Sequence, residues 1–190
     1  MLLPLGLAAP AFGQSLALQL SAAALERTSH PVLYDAAYRV IAYPMGDVPA
    51  DRGVCADEII RAYRSLGIDL QRLVHEDMRA HFSAYPRLWG LAGPDPNIDH
   101  RRVPNLERFF ARHGRTLTLG TSPGEYRPGD LVTWRLGGTL PHIGIVTDRR
   151  SEDGARPLIV HNIGAGPKLE DVLFAFPLFG HYRYDGAGRG

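Results

Sequence analysis

Apolar residues in the first 114 positions recur at the three- and four-residue spacing of amphipathic helices. The first such stretch ends before Pro31, because a residue that precedes proline is pushed out of the helical region. Gly67 and Gly114 close two later stretches, and Asp69 caps the stretch between them. The pattern therefore predicts four helices, over residues 15–30, 55–66, 70–84 and 105–114.

After residue 127 the period changes to the alternation of short strands, separated by turns rich in glycine, proline and aspartate. Two earlier stretches show neither period: residues 34–43 are ambiguous between helix and strand, and residues 85–104 are expected to form a long loop. Helices first and an antiparallel meander afterwards indicate the α+β class. The predicted strands cover residues 131–136, 141–147, 158–162 and 181–184.

The composition is typical of one soluble globular domain. The chain has 190 residues, 45% of them hydrophobic, and a net charge of +1. Its 21 basic residues are interleaved with 20 acidic residues, so no basic face favours nucleic acid as a partner. Beyond the N-terminus, no stretch approaches the roughly 20 apolar residues of a membrane span. We expect a monomer with no nucleic-acid partner and no stable membrane span.

The N-terminal residues 1–20 begin with an apolar run and small residues that are typical of a secretory signal segment. The run lacks the basic region that opens a complete signal, so we expect the true start to lie upstream. The alternative is an N-terminal apolar arm. We therefore expect export to the periplasm or secretion, with a single folded domain over residues 30–185.

The single cysteine, Cys55, is the first candidate for chemistry. Gly53 frees the backbone just before it, and Asp57 and Glu58 suit the positive end of a helix that begins there. A thiol in the first turn of a helix is expected to have a lowered pKa, which favours the nucleophilic thiolate. The alternative is a small buried apolar residue, which is the commoner role of a lone cysteine.

Two histidines on consecutive predicted strands are the second candidate. His142 opens one strand and His161 ends the next, so a meander can bring both to one end of the sheet. In this hypothesis Cys55 is the nucleophile, His142 is the general base, and His161 orients the imidazole. Asn162 is the rival for the third position, because strand alternation lets only one of His161 and Asn162 face the site.

Several motifs carry a family resemblance. Pro128-Gly-Asp-Leu-Val-Thr-Trp134, Pro141-His-Ile-Gly-Ile-Val146 and Leu158-Ile-Val-His161 resemble the strand series of the NlpC-type cell-wall peptidases, which belong to the papain-like superfamily of cysteine peptidases. Tyr43-Pro-Met-Gly46 is similar to the tyrosine-glycine segment that precedes the nucleophile there. GVCADEIIRAY and VHNIGAGP also resemble an uncharacterised bacterial family of that clan. The resemblance covers about residues 34–184.

The resemblance implies a papain-like, NlpC-type fold with N-terminal helices packed on a C-terminal antiparallel sheet. Cys55 then matches the nucleophile, His142 the base and His161 the third member, while Tyr43 matches a tyrosine that lines the oxyanion or substrate site. The remaining residues expected in the oxyanion or substrate-binding set are Asp57, Arg101, Arg102 and Asn162. Val54-Cys55-Ala56-Asp57 departs from the usual Asp-Cys-Ser-Gly, and the segment between Cys55 and His142 is longer than usual, which suggests an inserted lid.

The function implied is an exported cysteine hydrolase that cleaves an amide bond through a thioester, with peptidoglycan stem peptide or another envelope amide as substrate. An acyl or amide transferase is possible with the same apparatus, because an amine can resolve the thioester. The rivals are a non-catalytic envelope-binding module and a thiol redox protein. No cofactor and no metal are expected.

Two polar clusters allow other interpretations. Asp99-His100-Arg101-Arg102 can clamp a substrate carboxylate, or it can form a salt-bridge cluster that pins the long loop. His75 and His81 invite a zinc hypothesis, but they lie six residues apart and about 120° apart on a helix, which is unfavourable for a shared metal.

Overall fold

The computed structural model describes residues 15–186. Four α-helices dominate the first part of this range, and each begins within two residues of its predicted start. The third is capped by Asp69, whose side chain accepts a hydrogen bond from the Arg72 N–H at 3.2 Å. Gly67 follows the second helix with a φ of 78°, which suits a helix end. The helices are α1 (Leu16–Arg27), α2 (Cys55–Ser65), α3 (Leu70–His81) and α4 (Val103–His113).

The second half of the chain forms a six-stranded antiparallel sheet, which confirms the α+β class. The strand order is β3-β8-β4-β5-β6-β7, and every neighbouring pair is antiparallel. A separate parallel pair joins two short strands that flank the loop before α2. The strands are β1 (Leu33–Tyr34), β2 (Arg52–Gly53), β3 (Arg115–Thr116), β4 (Leu131–Leu136), β5 (Leu140–Arg150), β6 (Pro157–His161), β7 (Lys168–Glu170) and β8 (Leu178–Arg183).

The sheet separates two apolar clusters, because alternate residues of each strand face opposite sides. In β5, Ile145 belongs to the larger cluster with the helices, whereas Val146 belongs to the smaller one. Helices α1 and α2 pack against each other and against β5. The start of α2, where Cys55 lies, is therefore held against the middle of the sheet.

Helix α1 overlaps the predicted signal segment of residues 1–20. Its Leu20 and Ala24 are buried, and Ser21 is hydrogen-bonded to Asp148 of β5 at 3.0 Å. Residues 16–20 thus form part of the folded domain, and residues 1–14 of the predicted segment lie outside the described residues. None of the helices within residues 15–186 has the length and apolar character that crossing a membrane requires.

Residues 85–104 are mostly irregular, as predicted, whereas residues 34–43, which the pattern left between helix and strand, are mostly neither. Residues 35–42 form neither helix nor strand. Within the long loop of residues 85–104 there is one short 3₁₀ turn, Asp99–Arg101, and α4 begins at Val103, with Pro104 in its first turn. Proline is accommodated at that position because the first turn of a helix has no partner for its N–H groups. Arg101 of this loop contacts Asp57 in the first turn of α2.

Candidate active site at the start of helix α2

The turn that presents Cys55 is fixed by a buried ion pair. The Asp57 carboxylate accepts the Val54 N–H at 2.6 Å, which caps the first turn of α2. The Arg101 guanidinium donates to both oxygens of the same carboxylate, at 2.8 and 3.0 Å, and both side chains are 2% exposed. Arg101 also donates to the Ala37 carbonyl at 3.2 Å. These bonds tie the cysteine turn, the long loop and residues 35–37 together.

The Cys55 thiol is enclosed and is 4% exposed. The backbone N–H groups of Ala56 and Ile143 point at the sulfur, and the Tyr34 hydroxyl is hydrogen-bonded to it. Burial nevertheless dominates and raises the pKa of the thiol to about 11. The prediction of a lowered thiol pKa is therefore wrong for this closed state: burial outweighs the helix end and the two N–H groups.

The two predicted histidines are in direct contact, and the contact extends to a carboxylate. His142 Nε2 lies 2.8 Å from His161 Nδ1, and His161 Nε2 lies 2.8 Å from an oxygen of Glu170. Both histidine residues are 2% exposed, whereas the Glu170 side chain is 41% exposed. The three side chains form a continuous hydrogen-bonded row from the start of β5 to the sheet edge.

The row fixes which nitrogen of each ring carries the proton. A carboxylate only accepts hydrogen bonds, so the His161 Nε2 must donate to Glu170. In a neutral ring, His161 Nδ1 is then the acceptor for the Nε2–H of His142. The Nδ1 of His142 is left without a proton, which is the state that a general base requires.

The sheet packing holds the two rings in place. His142 is paired with Trp134 across β4 and β5, and their rings stack with centroids 5.6 Å apart. Gly144 is paired with His161, and a Cβ at Gly144 would lie 2.6 Å from Ile159 Cγ2 and 3.2 Å from His161 Cβ. The absence of a side chain at Gly144 therefore makes room for the His161 ring.

Both imidazoles are neutral in this environment. Burial lowers the pKa of His142 to about 3, and the neighbouring His161 lowers it further. Burial also lowers the pKa of His161, and the Glu170 carboxylate partly opposes this effect. The resting site thus contains a thiol and a neutral base, not a thiolate–imidazolium pair.

The thiol and the His142 ring approach the start of β5 from different sides. Cys55 belongs to the apolar cluster on the helix side, whereas the His142 ring stacks on Trp134, which belongs to the opposite cluster. Among the described residues, the thiol meets the N–H of Ile143, the residue directly after His142, and no hydrogen bond joins the sulfur to the imidazole. Direct proton transfer between the two therefore requires the sulfur and the imidazole to come together from these positions.

The tyrosine at the thiol is Tyr34, and the prediction had named Tyr43. Tyr34 lies 21 residues before Cys55, in β1, where pairing with β2 places it beside the cysteine turn. Its hydroxyl contacts both the thiol and the Cys55 N–H. Tyr43 instead packs edge-on against His75 of α3, with ring centroids 5.2 Å apart. The spacing to Cys55 misled the prediction, because the loop between the two tyrosines folds away towards α3.

The other residues of the predicted substrate set have different roles. Asp57 and Arg101 are buried in their ion pair and hold the cysteine turn, which supports the salt-bridge interpretation of Arg101. Asn162 is fully buried, and its Oδ1 accepts the Gly164 N–H at 3.0 Å, so it closes the turn after β6. His161, not Asn162, is the residue that contacts His142. Arg101 and Arg102 of the predicted set both line the cavity of about 350 Å³ described below.

Sequence reasoning missed Glu170 and Tyr34. Glu170 carried a usable signal: glycines 164 and 166 mark a turn after β6, and the polar-apolar-polar residues Lys168–Glu170 then predict a returning strand. Since His161 pairs with Lys168, Glu170 two residues later faces the same side as His161. Tyr34 gave no such signal, because only the pairing of β1 with β2 brings it to the thiol.

One cavity borders the cysteine turn, and a second borders β1. One, of about 350 Å³, is lined by Val54, which immediately precedes Cys55, together with Tyr38, Trp89 and Arg102. The other, of about 710 Å³, is lined by residues 28–33 and by residues 165–168 next to β6. The first cavity reaches the residue before Cys55, and the second reaches Leu33 of β1, the residue before Tyr34.

Taken together, the described residues define an α+β domain with a buried cysteine at a helix start and a histidine–histidine–carboxylate row that begins at His142, next to the Ile143 whose N–H meets the thiol. The chain belongs to the family DUF1287, described as a domain of unknown function, whose model matches residues 21–184. It is also similar to a protein of Escherichia coli (strain K12) described as "Uncharacterized protein YijF". The two are 53% identical over 161 residues, which cover 85% of this chain and 78% of that protein. No solved structure matches the chain significantly.

Proposed function

We propose that this protein is a cysteine hydrolase of the papain-like, NlpC type that cleaves an amide bond through a thioester. The observation that supports this most strongly is the hydrogen-bonded row His142–His161–Glu170. His142, at one end of the row, directly precedes Ile143, whose backbone N–H meets the Cys55 thiol. A nucleophile, a base and an orienting group are the parts that this reaction needs. Motif resemblance to the NlpC-type peptidases is the second support.

In the acylation step, His142 Nδ1 takes the proton from the Cys55 thiol as the sulfur attacks the carbonyl carbon of the substrate. The negative charge that develops on the carbonyl oxygen is stabilised by the Cys55 N–H and the Tyr34 hydroxyl, which already lie side by side. When the carbon–nitrogen bond breaks, the imidazolium returns the proton to the leaving amine. The products of this step are a free amine and a thioester on Cys55.

In the deacylation step, His142 takes a proton from a water molecule, whose oxygen attacks the thioester carbon. Collapse of the second oxyanion breaks the carbon–sulfur bond, and the proton returns to the sulfur. His161 keeps the His142 ring in place through both steps, and Glu170 keeps the proton of His161 on Nε2. An amine in place of water would give transfer, so the same residues also serve an acyl or amide transferase.

The substrate class follows from the resemblance: peptidoglycan stem peptide or another peptide amide of the cell envelope. Export to the periplasm or beyond is part of the same proposal. The cleft of about 350 Å³, which Val54 lines one residue before Cys55, has room for part of such a peptide. Because Cys55 is 4% exposed, the Tyr34 ring must shift to admit the scissile bond.

The test is digestion of purified sacculi by the full chain, with released peptides identified by mass spectrometry. We expect products with wild type, none with Cys55→Ala or His142→Ala, and slow release with Tyr34→Phe because one oxyanion donor is lost. Tyr43→Phe is the matched control and should act like wild type, since Tyr43 packs on His75. Equal release by wild type and Cys55→Ala would overturn the proposal.

A second candidate, a non-catalytic envelope-binding module of the same fold, is favoured by one observation: the enclosed thiol with its raised pKa. The two candidates differ in whether a substrate-like electrophile reaches the sulfur. A peptide carrying a C-terminal aldehyde should form a hemithioacetal with Cys55 in a hydrolase, and His142→Ala should slow its formation. Binding of sacculi without any reaction at Cys55 would favour the module.

A further inference from the structure

Three buried polar side-chain atoms without hydrogen-bond partners converge on one small cavity. They are Asp99 Oδ1, Arg102 Nη1 and Asn105 Oδ1. Asp99 and Asn105 are each 0% exposed. Buried polar atoms are normally paired, so three unpaired atoms around one cavity indicate a group that is to be bound there.

The orientation of the three atoms is fixed by the bonds that their side chains make elsewhere. Asn105 Nδ2 donates to the Asp99 carbonyl at 3.0 Å, which leaves its Oδ1 as the atom that faces the cavity. The other Asp99 oxygen accepts the Asp95 N–H. Asp99 Oδ1 and Arg102 Nη1 are 3.6 Å apart, too far for a direct hydrogen bond. The cavity therefore presents two acceptors and one donor.

The cavity adjoins the cleft beside the nucleophile. Its walls include apolar side chains of α3 and of the long loop, and Trp89 closes one side with its ring 4.0 Å from the Arg102 guanidinium. Trp89 and Arg102 also line the cleft of about 350 Å³ that reaches Val54. These two residues thus form a partition between the cleft and the cavity, and the Trp89 residue is 40% exposed.

The size and polarity of the cavity select the ligand. The enclosed space is about 10 Å³, enough for one water-sized group. Two acceptors, one of them a carboxylate, suit an ammonium group of that size, whereas the Arg102 N–H requires an acceptor such as a carboxylate. The water-sized space holds the ammonium, and a carboxylate on the same carbon lies towards the adjoining cleft of about 350 Å³, which Arg102 also lines.

We propose that Asp99, Arg102 and Asn105 form a subsite for the zwitterionic head of an α-amino acid. The ammonium donates to Asp99 Oδ1 and Asn105 Oδ1, and the carboxylate accepts from Arg102 Nη1. Trp89 moves aside to admit the head group and then covers it. Resting on the proposed function, this subsite makes the substrate a peptide that carries a free amino-acid head near the scissile amide, at a side-chain end or at a terminus.

The test measures binding without catalysis, in the Cys55→Ala protein. D- and L-alanine are titrated while NMR follows the indole N–H signals of Trp89 and Trp134, which Trp89→Phe assigns. We expect saturable shifts at Trp89 with one or both enantiomers. N-acetylalanine and alaninamide should bind about tenfold more weakly or worse, because each leaves a buried charged group without its partner.

Variants separate the two halves of the site. Asp99→Asn should remove the preference for the free amine, and Arg102→Gln the preference for the free carboxylate. Arg149→Gln, an exposed arginine of β5, is the matched control and should bind like the parent. The Trp134 signal reports the fold of each variant, because that ring is fully buried on His142.

Equal binding of alanine and its blocked forms, or no saturable binding at all, would overturn the proposal. The hydrogen-bond partner of the three atoms would then be a single buried water. This binding test and the sacculus test of the proposed function can succeed or fail independently. Selective binding of free alanine by a protein that releases nothing from sacculi would keep the subsite and overturn the proposed function. Release of peptides from sacculi by a protein that does not select free alanine would keep the proposed function and overturn the subsite.

Discussion

At Cys55, the protein environment acts on the thiol in two opposite directions. The N–H groups of Ala56 and Ile143 favour the thiolate, whereas enclosure in an apolar site favours the thiol. Burial is the larger effect, and the pKa rises from 9.0 to about 11, a bias of roughly 3 kcal/mol against the thiolate. Reaction at Cys55 therefore depends on a base, which gives the His142 row its importance.

The first prediction concerns alkylation of the free protein by iodoacetamide. With a pKa of about 11, the rate should rise continuously with pH through pH 10, since the reactive thiolate is a minor species below that value. The measurement is the alkylation rate against pH by mass spectrometry. The urea-unfolded chain is the control and should show the usual pKa of about 8.5. A plateau of the folded protein's rate below pH 8.5 would contradict the prediction.

The second prediction concerns the acid limb of turnover. In the proposed mechanism His142 acts as a base only when it is neutral, so activity should be lost as the pH falls through the pKa of His142. Burial lowers the pKa of His142 to about 3, and turnover should therefore persist well below the usual histidine value of about 6.5. The measurement is kcat/KM against pH over the range in which circular dichroism shows a folded protein. An acid limb near pH 6.5 would argue against this environment for His142.

The third prediction concerns Glu170→Gln. A glutamine can donate as well as accept, so it no longer forces the proton of His161 onto Nε2. Turnover should fall about 10- to 100-fold, as is usual when a group that orients a reacting side chain is lost. Nitrogen-15 NMR of the histidine rings should show mixed tautomers in this variant only. Glu152→Gln, an exposed change, is the control; normal tautomers with normal turnover in Glu170→Gln would remove Glu170 from the site.

At the scale of the elements, the site depends on strand register. His142 opposes Trp134, and Gly144 opposes His161, so a slip of one residue would turn both rings to the other face of the sheet. Helix α2 is held against the same strands by the Asp57–Arg101 pair, whose two side chains are 2% exposed. Removing one partner of such a pair costs about 3–5 kcal/mol, because the other charge is left buried and unpaired.

The fourth prediction is that Gly144→Ala disables the row of imidazoles. The new Cβ would lie 2.6 Å from Ile159 Cγ2 and 3.0 Å from the Val160 carbonyl, so β6 must move and carry His161 with it. Overpacking of this kind costs about 1–3 kcal/mol. Turnover and the His142–His161 contact, seen as altered ring nitrogen shifts, should be lost in a folded protein. Gly124→Ala, where the added Cβ makes only an ordinary contact 3.9 Å from Ser122 Oγ, is the control and should change neither.

Local patterns predicted most elements to within a few residues. Helical spacing with Gly67 and Asp69 located α2 and α3, because caps and apolar stripes are local properties. The short strands β1, β2, β3 and β7, of two or three residues each, were not predicted. Such strands carry too few residues for a period and form only where another strand is available for pairing. Both residues that the sequence did not reveal, Tyr34 and Glu170, lie on these short strands.

At the scale of the whole molecule, a buried network at the far side of the sheet governs acid stability. Asp130 is 0% exposed and bonds Arg183 at 2.6 and 2.8 Å and His181 at 2.8 Å. Burial raises the pKa of this carboxyl, but the hydrogen bonds from His181 and Arg183 outweigh it, and the pKa is lowered. The network ties the residue before β4 to β8, its neighbour in the sheet.

The fifth prediction follows from the sign of that shift. A carboxyl whose folded pKa is lowered adds stability above its unfolded pKa, near 3.9, and this stability is lost as the pH falls through the folded value. Asp130→Asn should lower the unfolding free energy at pH 7 by about 3–5 kcal/mol. In the same variant, the unfolding free energy should decline less steeply below pH 4 than it does in wild type. The measurement is urea unfolding at a series of pH values. Asp51→Asn, an exposed change, is the control; equal stability of Asp130→Asn and wild type would contradict the prediction.

The sequence alone determined the α+β class, the placement of Cys55 at a helix start and the pairing of His142 with His161, because apolar period, caps and strand order are written locally along the chain. Only the tertiary structure decided which tyrosine meets the thiol, that Glu170 completes the row and that the thiol pKa rises. It also decided that Arg101 forms a buried ion pair with Asp57. All of these outcomes depend on burial and on contacts between distant segments. Burial and long-range contacts are not properties of a residue and its sequence neighbours.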